Sequence, residues 1–107
     1  MERLAYRLTG GHLAAAAPAS ALVGVVASGN LEVLIESVPL DGACEVVVST
    51  AARGFGDIWK AVVDDFFARH ALVDARVSIN DNGATPAVVA LRLDQAVAEY
   101  LARAAKP

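Results

Sequence analysis

Residues 21–36 read Ala21-Leu22-Val23-Gly24-Val25-Val26-Ala27-Ser28-Gly29-Asn30-Leu31-Glu32-Val33-Leu34-Ile35-Glu36, two apolar runs joined by a short polar turn. Runs of this length and β-branched content around Gly-Asn carry the strongest hairpin signal in the chain. Gly29 in the first central position takes the positive φ that a two-residue turn demands. With that turn, Ser28 faces Leu31, Val26 faces Val33 and Gly24 faces Ile35. On the other face Ala27, Val25 and Val23 meet Glu32, Leu34 and Glu36. The first face reads as core. The second mixes glutamates with Val and Leu and is more apolar than a solvated face requires, which marks it as a partner surface. Ser28 stands at the entrance to the turn.

Upstream, Leu4-Ala5-Tyr6-Arg7-Leu8 alternates with period two, a half-buried strand with Leu4, Tyr6 and Leu8 inward. Thr9-Gly10-Gly11 ends it, and the Ala-rich stretch to Ser20, with Pro18, reads as a connection. Downstream, Pro39-Leu40-Asp41-Gly42 is a turn and Glu45–Thr50 a third strand of a meander. Gly54-Phe55-Gly56-Asp57 opens a helix with Phe55, Ile58, Trp59, Val62, Phe66 and Phe67 on its apolar side. Ala75–Ile79 joins the meander sheet, and Asn80-Asp81-Asn82-Gly83 turns the chain. Thr85 then caps a second helix with Pro86 at its first position, and Val89, Leu93, Val97, Tyr100 and Leu101 form its buried stripe. The order is β-β-β-β-α-β-α. It predicts an α+β fold: a mostly antiparallel sheet of about five strands with both helices on one face.

A chain of 107 residues with 56% hydrophobic content points to a single domain spanning 1–107. The formal charge of −3 and the scattered Lys and Arg argue against a nucleic-acid partner. The single cysteine, Cys44, excludes an internal disulfide framework and reads as a small strand residue suited to a reducing compartment. The uncharged run Leu13–Ser28 is too short and too alanine-rich for a spanning helix. Glu2, Gly10-Gly11-His12 and Pro18 count against a signal peptide there. A cytoplasmic location with no membrane contact is the expectation.

Strand directions place the functional elements. If the second strand runs up to Ser28, the fourth strand ends near Thr50 on the same edge. The first helix returns the chain, and the fifth strand runs up again, parallel to the fourth through a right-handed crossover. Ser28, Gly29 and Asn30 then share an edge with Arg53, Gly54 and Gly56 and with Asn80, Asp81, Asn82, Gly83 and Thr85. Both helices begin there, so free backbone N–H groups and positive dipole ends favour an anion such as a phosphate.

Catalytic chemistry is missing around Ser28. His12 and His70 sit in the connection and at a helix end, and Ser28 lies in no G-x-S-x-G elbow. Asp64-Asp65 lies on a polar helix face without a second carboxylate pair for acid–base work. No spacing of His, Cys, Asp or Glu resembles a metal site, and no phosphate-binding G-x-x-x-x-G-K loop is present. The residues indicate a non-catalytic domain in which Ser28 is an attachment point.

Four blocks carry a family resemblance: Val25–Leu34, Gly54-Phe55-Gly56-Asp57-Ile58-Trp59, Phe66-Phe67-Ala68-Arg69-His70, and Ile79–Pro86 followed by Val88-Val89-Ala90-Leu91-Arg92-Leu93. In this order and spacing, from Ala21 to Leu101, the chain resembles the acyl carrier subunit (delta subunit) of malonate decarboxylase. An acidic residue more often follows Ser-Gly in that family, so Asn30 is a departure. The resemblance implies that Ser28 is joined through a phosphodiester to phosphoribosyl-dephospho-coenzyme A, whose thiol carries acetyl and malonyl. It implies as partners the acyltransferase and decarboxylase subunits and the enzyme that installs the group, and the expected shared edge offers Gly29, Asn30, Arg53, Gly54, Gly56, Asn80, Asp81, Asn82, Gly83 and Thr85 as contacts to the group or to partners. The citrate lyase carrier shares little beyond the modified serine. Ordinary acyl carrier proteins are helical bundles with an Asp-Ser-Leu motif, which this chain lacks. The alternative is a small ligand-sensing or structural module without a covalent group, and the mass of the protein separates the two.

Overall fold

The computed structural model describes residues 2–15, 20–23 and 30–104, with the backbone alone for 20–23. Its elements are β1 (Glu2–Leu8), β2 (Ser20–Val23), β3 (Leu31–Ser37), β4 (Cys44–Thr50), α1 (Gly56–His70), β5 (Ala75–Asp81) and α2 (Pro86–Ala104). The strands form one five-stranded sheet in the order β1-β4-β5-β3-β2. β4 and β5 are parallel neighbours joined through α1, and the other three pairings are antiparallel. The α+β class, the element order and the expected β4–β5 pairing all hold.

One face of the sheet is covered. Leu31, Val33 and Ile35 of β3, Cys44, Val46 and Val48 of β4, and Ala75, Val77 and Ile79 of β5 are buried on alternate positions, the period-two pattern of a sheet with one solvated face. They join Trp59, Val63 and Phe66 of α1 and Val89, Leu93, Ala96, Val97 and Tyr100 of α2 in a single cluster. α2 lies over β2 and β3, and α1 touches β1. The open face is banded by register, with Arg7, Glu45, Arg76 and Glu36 in one row of alternating charge. Arg76 Nε donates to Glu45 Oε1 across that row at 2.8 Å.

The structure corrects the sequence reading in four places. β3 and β4 are not meander neighbours, because β5 is inserted between them and pairs with both. A central slot suits β5, whose Val77 and Ile79 are fully buried, whereas β1 shows exposed Arg3, Ala5 and Arg7 at the sheet edge. The β2–β3 register also differs, since Val23 pairs with Val33, three residues short of the expected Glu36. An odd slip exchanges the two faces of a strand, so Ala21 and Val23 take the register positions opposite core residues Ile35 and Val33. The expected two-residue turn falls in the connection between β2 and β3. Residues 24–29 of that connection, including Ser28 and Gly29, lie outside the described residues.

The third correction is to the apolar stripe of α1. Val63 is fully buried, while Phe55 and Ile58 are 46% and 47% exposed. The fourth is that Asn80 and Asp81 belong to β5, so the turn begins only at Asn82. The second helix forms as expected: Thr85 Oγ1 accepts from the Val88 N–H at 3.3 Å, and Pro86 occupies the first helical position.

Candidate functional site

β4 and β5 run parallel and in register to Thr50 and Asp81, and β3 starts at Leu31 opposite Asp81. Three chain segments therefore arrive at one sheet edge. The Asn82 N–H donates to the Asn30 carbonyl at 2.8 Å, and the Ala51 N–H donates to the Asp81 carbonyl at 3.0 Å. α1 and α2 both begin on this edge, at Gly56 and Pro86. Ser28, two positions before Asn30 in the chain, lies outside the described residues.

A network of hydrogen bonds builds the floor of the edge. Thr50 Oγ1 donates to Asp81 Oδ2 at 2.8 Å and accepts from the Ala52 N–H at 3.2 Å. Asp81 Oδ1 accepts from the Ala84 N–H at 2.8 Å, closing the turn that leads into α2. Asp81 is thus buried with both carboxylate oxygens engaged, as a buried charge requires.

Between the two helix starts opens a cleft of about 280 Å³. α1 and the residue before it contribute Phe55, Ile58, Trp59 and Val62. The strand ends supply Thr50, Ala52 and Asp81, and the α2 side supplies Gly83, Ala84, Pro86 and Val89. Periodicity alone assigns Phe55 and Ile58 to the core. They instead stand at the rim of this cleft, about half exposed. Their apolar character so near the helix start, among Gly-rich loop residues, is the signal that could have singled them out.

The expected site residues do not all meet. Asp81 and Gly83 line the cleft, and Thr85 caps the helix beside it. Asn80 belongs to the opposite face, where register sets it beside Ser49 and Glu32. Arg53 is exposed in the loop before α1 and does not line the cleft. The Gly54 N–H points to Glu2 Oε1 at 3.3 Å, and Gly56 is the first residue of α1. No side chain caps α1, whose first turn carries Asp57. Asn30 Oδ1 is shut off from water and has no hydrogen-bond partner among the described residues.

Two other reactive side chains lie away from this edge. Cys44 begins β4 at the far end of the sheet, fully buried, and burial followed by the charge of Glu45 pushes its thiol up to about 11. It is an inert core residue. His70 at the end of α1 meets Asp94 of α2 at 2.8 Å through Nε2 and packs against the Phe66 ring.

Comparison with known proteins gives a consistent answer. Residues 18–100 match the family described as malonate decarboxylase delta subunit (MdcD), an acyl carrier protein family. A malonate decarboxylase acyl carrier protein of Xanthomonas campestris pv. campestris is 66% identical over 97 residues, covering 91% of this chain and 92% of the relative. One from Stenotrophomonas maltophilia is 61% identical over 103 residues, covering 95% and 96%. These alignments extend beyond residues 21–101, the stretch that carries the resemblance in motifs. A chain in the crystal structure of a Pseudomonas malonate decarboxylase hetero-tetramer in complex with malonate superposes with a TM-score of 0.75 at 35% identity, covering 92% of this chain and 98% of that one. The chain therefore belongs to the malonate decarboxylase delta-subunit family of acyl carrier proteins.

Proposed function

We propose that this chain is the acyl carrier subunit of a malonate decarboxylase, with phosphoribosyl-dephospho-coenzyme A attached through a phosphodiester to the Ser28 hydroxyl. When bound, the group supplies a thiol that holds acetyl or malonyl as a thioester for the partner subunits. The chain's own part is to tether, orient and present. Tethering makes each transfer effectively intramolecular and raises the local concentration of the acyl group. The observation that supports this reading is the convergence, on one edge, of Asn30 and both helix starts, in a chain of this family whose sequence carries Ser28 two positions before Asn30.

The surrounding residues fit such a group. The first turn of α1 has no side-chain cap, leaving backbone N–H groups available to phosphate oxygens, and the neighbouring cleft is lined mainly by apolar side chains. Arg53 adds a positive charge to the same loop. Ser28 needs no base here, because the installing enzyme activates it. The chain performs no chemistry of its own and works in the cytoplasm with the acyltransferase and decarboxylase subunits, without nucleic acid or membrane.

Intact-mass spectrometry of the protein made alongside its modifying enzymes tests this directly. The wild type is expected to gain the mass of the prosthetic group, and Ser28→Ala to stay folded and unmodified. An unmodified wild type or a modified alanine variant would overturn the assignment.

A further inference from the structure

The lining of the cleft beside the ends of β4 and β5 restricts what can enter it. Among the described residues, and apart from the indole N–H of Trp59, its polar side-chain groups are those of Thr50 and Asp81, and these already satisfy each other. The second oxygen of Asp81 is taken by the Ala84 N–H. Among the described residues no cationic side chain lines the cleft, and the one charge present is negative. The rest of what its side chains offer is apolar surface, from Phe55, Ile58, Trp59, Val62, Pro86 and Val89. Its volume of about 280 Å³ falls just below the range of pockets for drug-sized ligands, roughly 300–1,000 Å³. It suits the end of a tethered arm and is too small for the whole of one.

An acetyl thioester ends in a methyl group, and a malonyl thioester ends in a carboxylate. Moving a carboxylate from water into an apolar cleft without a cationic partner is strongly unfavourable, and Asp81 at its base adds repulsion between like charges. We infer that the cleft between the starts of α1 and α2 is a resting site for the acetyl thioester end of the arm and excludes the malonyl form. This rests on the carrier reading above. Its consequence is a sorting step within the carrier. The acetyl form shelters from water between cycles, while the malonyl form remains outside, where a partner subunit meets it.

The test uses the unmodified, ¹⁵N-labelled full chain with two free probes, S-acetyl-N-acetylcysteamine and S-malonyl-N-acetylcysteamine. The acetyl probe is expected to give saturable shifts at the Ala52, Gly83 and Ala84 amides and at the indole of Trp59, the only tryptophan. The malonyl probe should bind at least about tenfold more weakly, from the cost of burying its carboxylate. Ile58→Lys, at a half-exposed rim position, should weaken the acetyl probe by a similar factor with an unchanged unfolding midpoint. No saturable shift at these positions, equal binding of both probes, or an unaffected Ile58→Lys variant would overturn the inference. The two readings fail separately. A chain that takes no covalent adduct yet binds the acetyl probe selectively would sink the carrier assignment and leave only the selectivity of the cleft standing. A modified chain whose cleft ignores the probe would sink this inference alone.

Discussion

Thr50 Oγ1 donates to Asp81 Oδ2 at 2.8 Å, and this bond joins the last residues of the parallel neighbours β4 and β5 directly beneath the two helix starts. Thr50 is fully buried and Asp81 is 7% exposed. A carboxylate in that position persists only if its oxygens are paired. The pairing also shapes the loops, since Thr50 receives the Ala52 N–H and Asp81 receives the Ala84 N–H.

Replacing Thr50 with Val should therefore destabilise the fold although the side chains are similar in size. It removes the donor and leaves one oxygen of a buried carboxylate without its partner, at a cost of about 1–3 kcal/mol. Urea denaturation of the two proteins measures this. Equal midpoints at equal slope would show that the bond contributes nothing net.

Two glycines on the same edge should respond differently to a methyl group. Gly83 has φ +104, and a Cβ there would meet open space, so Gly83→Ala is strained by backbone conformation rather than by a clash. The expected loss is about 1–2 kcal/mol, the cost of left-handed backbone for an L residue. Gly56 opens α1 with no such φ and equal space, so Gly56→Ala should be neutral or stabilising by up to about 1 kcal/mol. Thermal unfolding of both variants distinguishes the cases, and a Gly56→Ala protein as weakened as Gly83→Ala would contradict the reasoning.

The chain after β1 is pinned by close contact. A Cβ on Gly11 would lie 2.6 Å from the Leu72 carbonyl oxygen and 2.7 Å from that of Ala71. Backbone atoms cannot yield as a flexible side chain can. The same contact is held by the His12 and Leu13 N–H groups, both donating to the Ala71 carbonyl at 2.9 Å, and by the Val73 N–H donating to the Leu13 carbonyl at 3.0 Å. Gly11→Ala should cost about 1–3 kcal/mol by overpacking and speed hydrogen exchange at His12, Leu13 and Val73. Unchanged exchange at all three amides would refute the pinning.

Asp74 supplies a pH dependence whose sign can be stated. Its Oδ1 accepts the Leu40 N–H at 2.9 Å and the Gly42 N–H at 2.8 Å. These two bonds hold its pKa below the ordinary 3.8. A group lowered on folding contributes stability that is complete above its unfolded pKa and is lost as pH falls through the native one. Asp74→Asn keeps an acceptor oxygen and tolerates the left-handed φ of 50. Its urea midpoint should fall less steeply than that of the wild type as pH drops below about 4, the unfolded Asp value. Parallel profiles for the two proteins would rule out this contribution.

Local pattern in the sequence was enough for much of the molecule. Period-two alternation marked β1, apolar runs bounded by turn residues marked β3 to β5, Thr85-Pro86 marked the start of α2, and parallel β4 and β5 were enough to bring Thr50, Asp81 and both helix starts to one edge. These features depend on residues close together in the chain. The placement of β5 between β3 and β4 did not follow, because any apolar strand satisfies its own periodicity with several neighbours. Only the joint packing of all five strands under two helices selects one order. The β2–β3 register escaped for a related reason: Gly29-Asn30 favours a tight turn locally, while Val23 opposite Val33 sets β2 in register with the buried face of β3. The cleft was the least legible feature. Phe55 and Ile58 have the composition of core residues, and only the position of α2 across from α1 decides that they border an opening while Val63 fills the interior. Sequence alone thus determined the elements and the edge on which they end. The tertiary structure decided strand order, register and the shape of the site, since each depends on contacts between segments far apart in the chain.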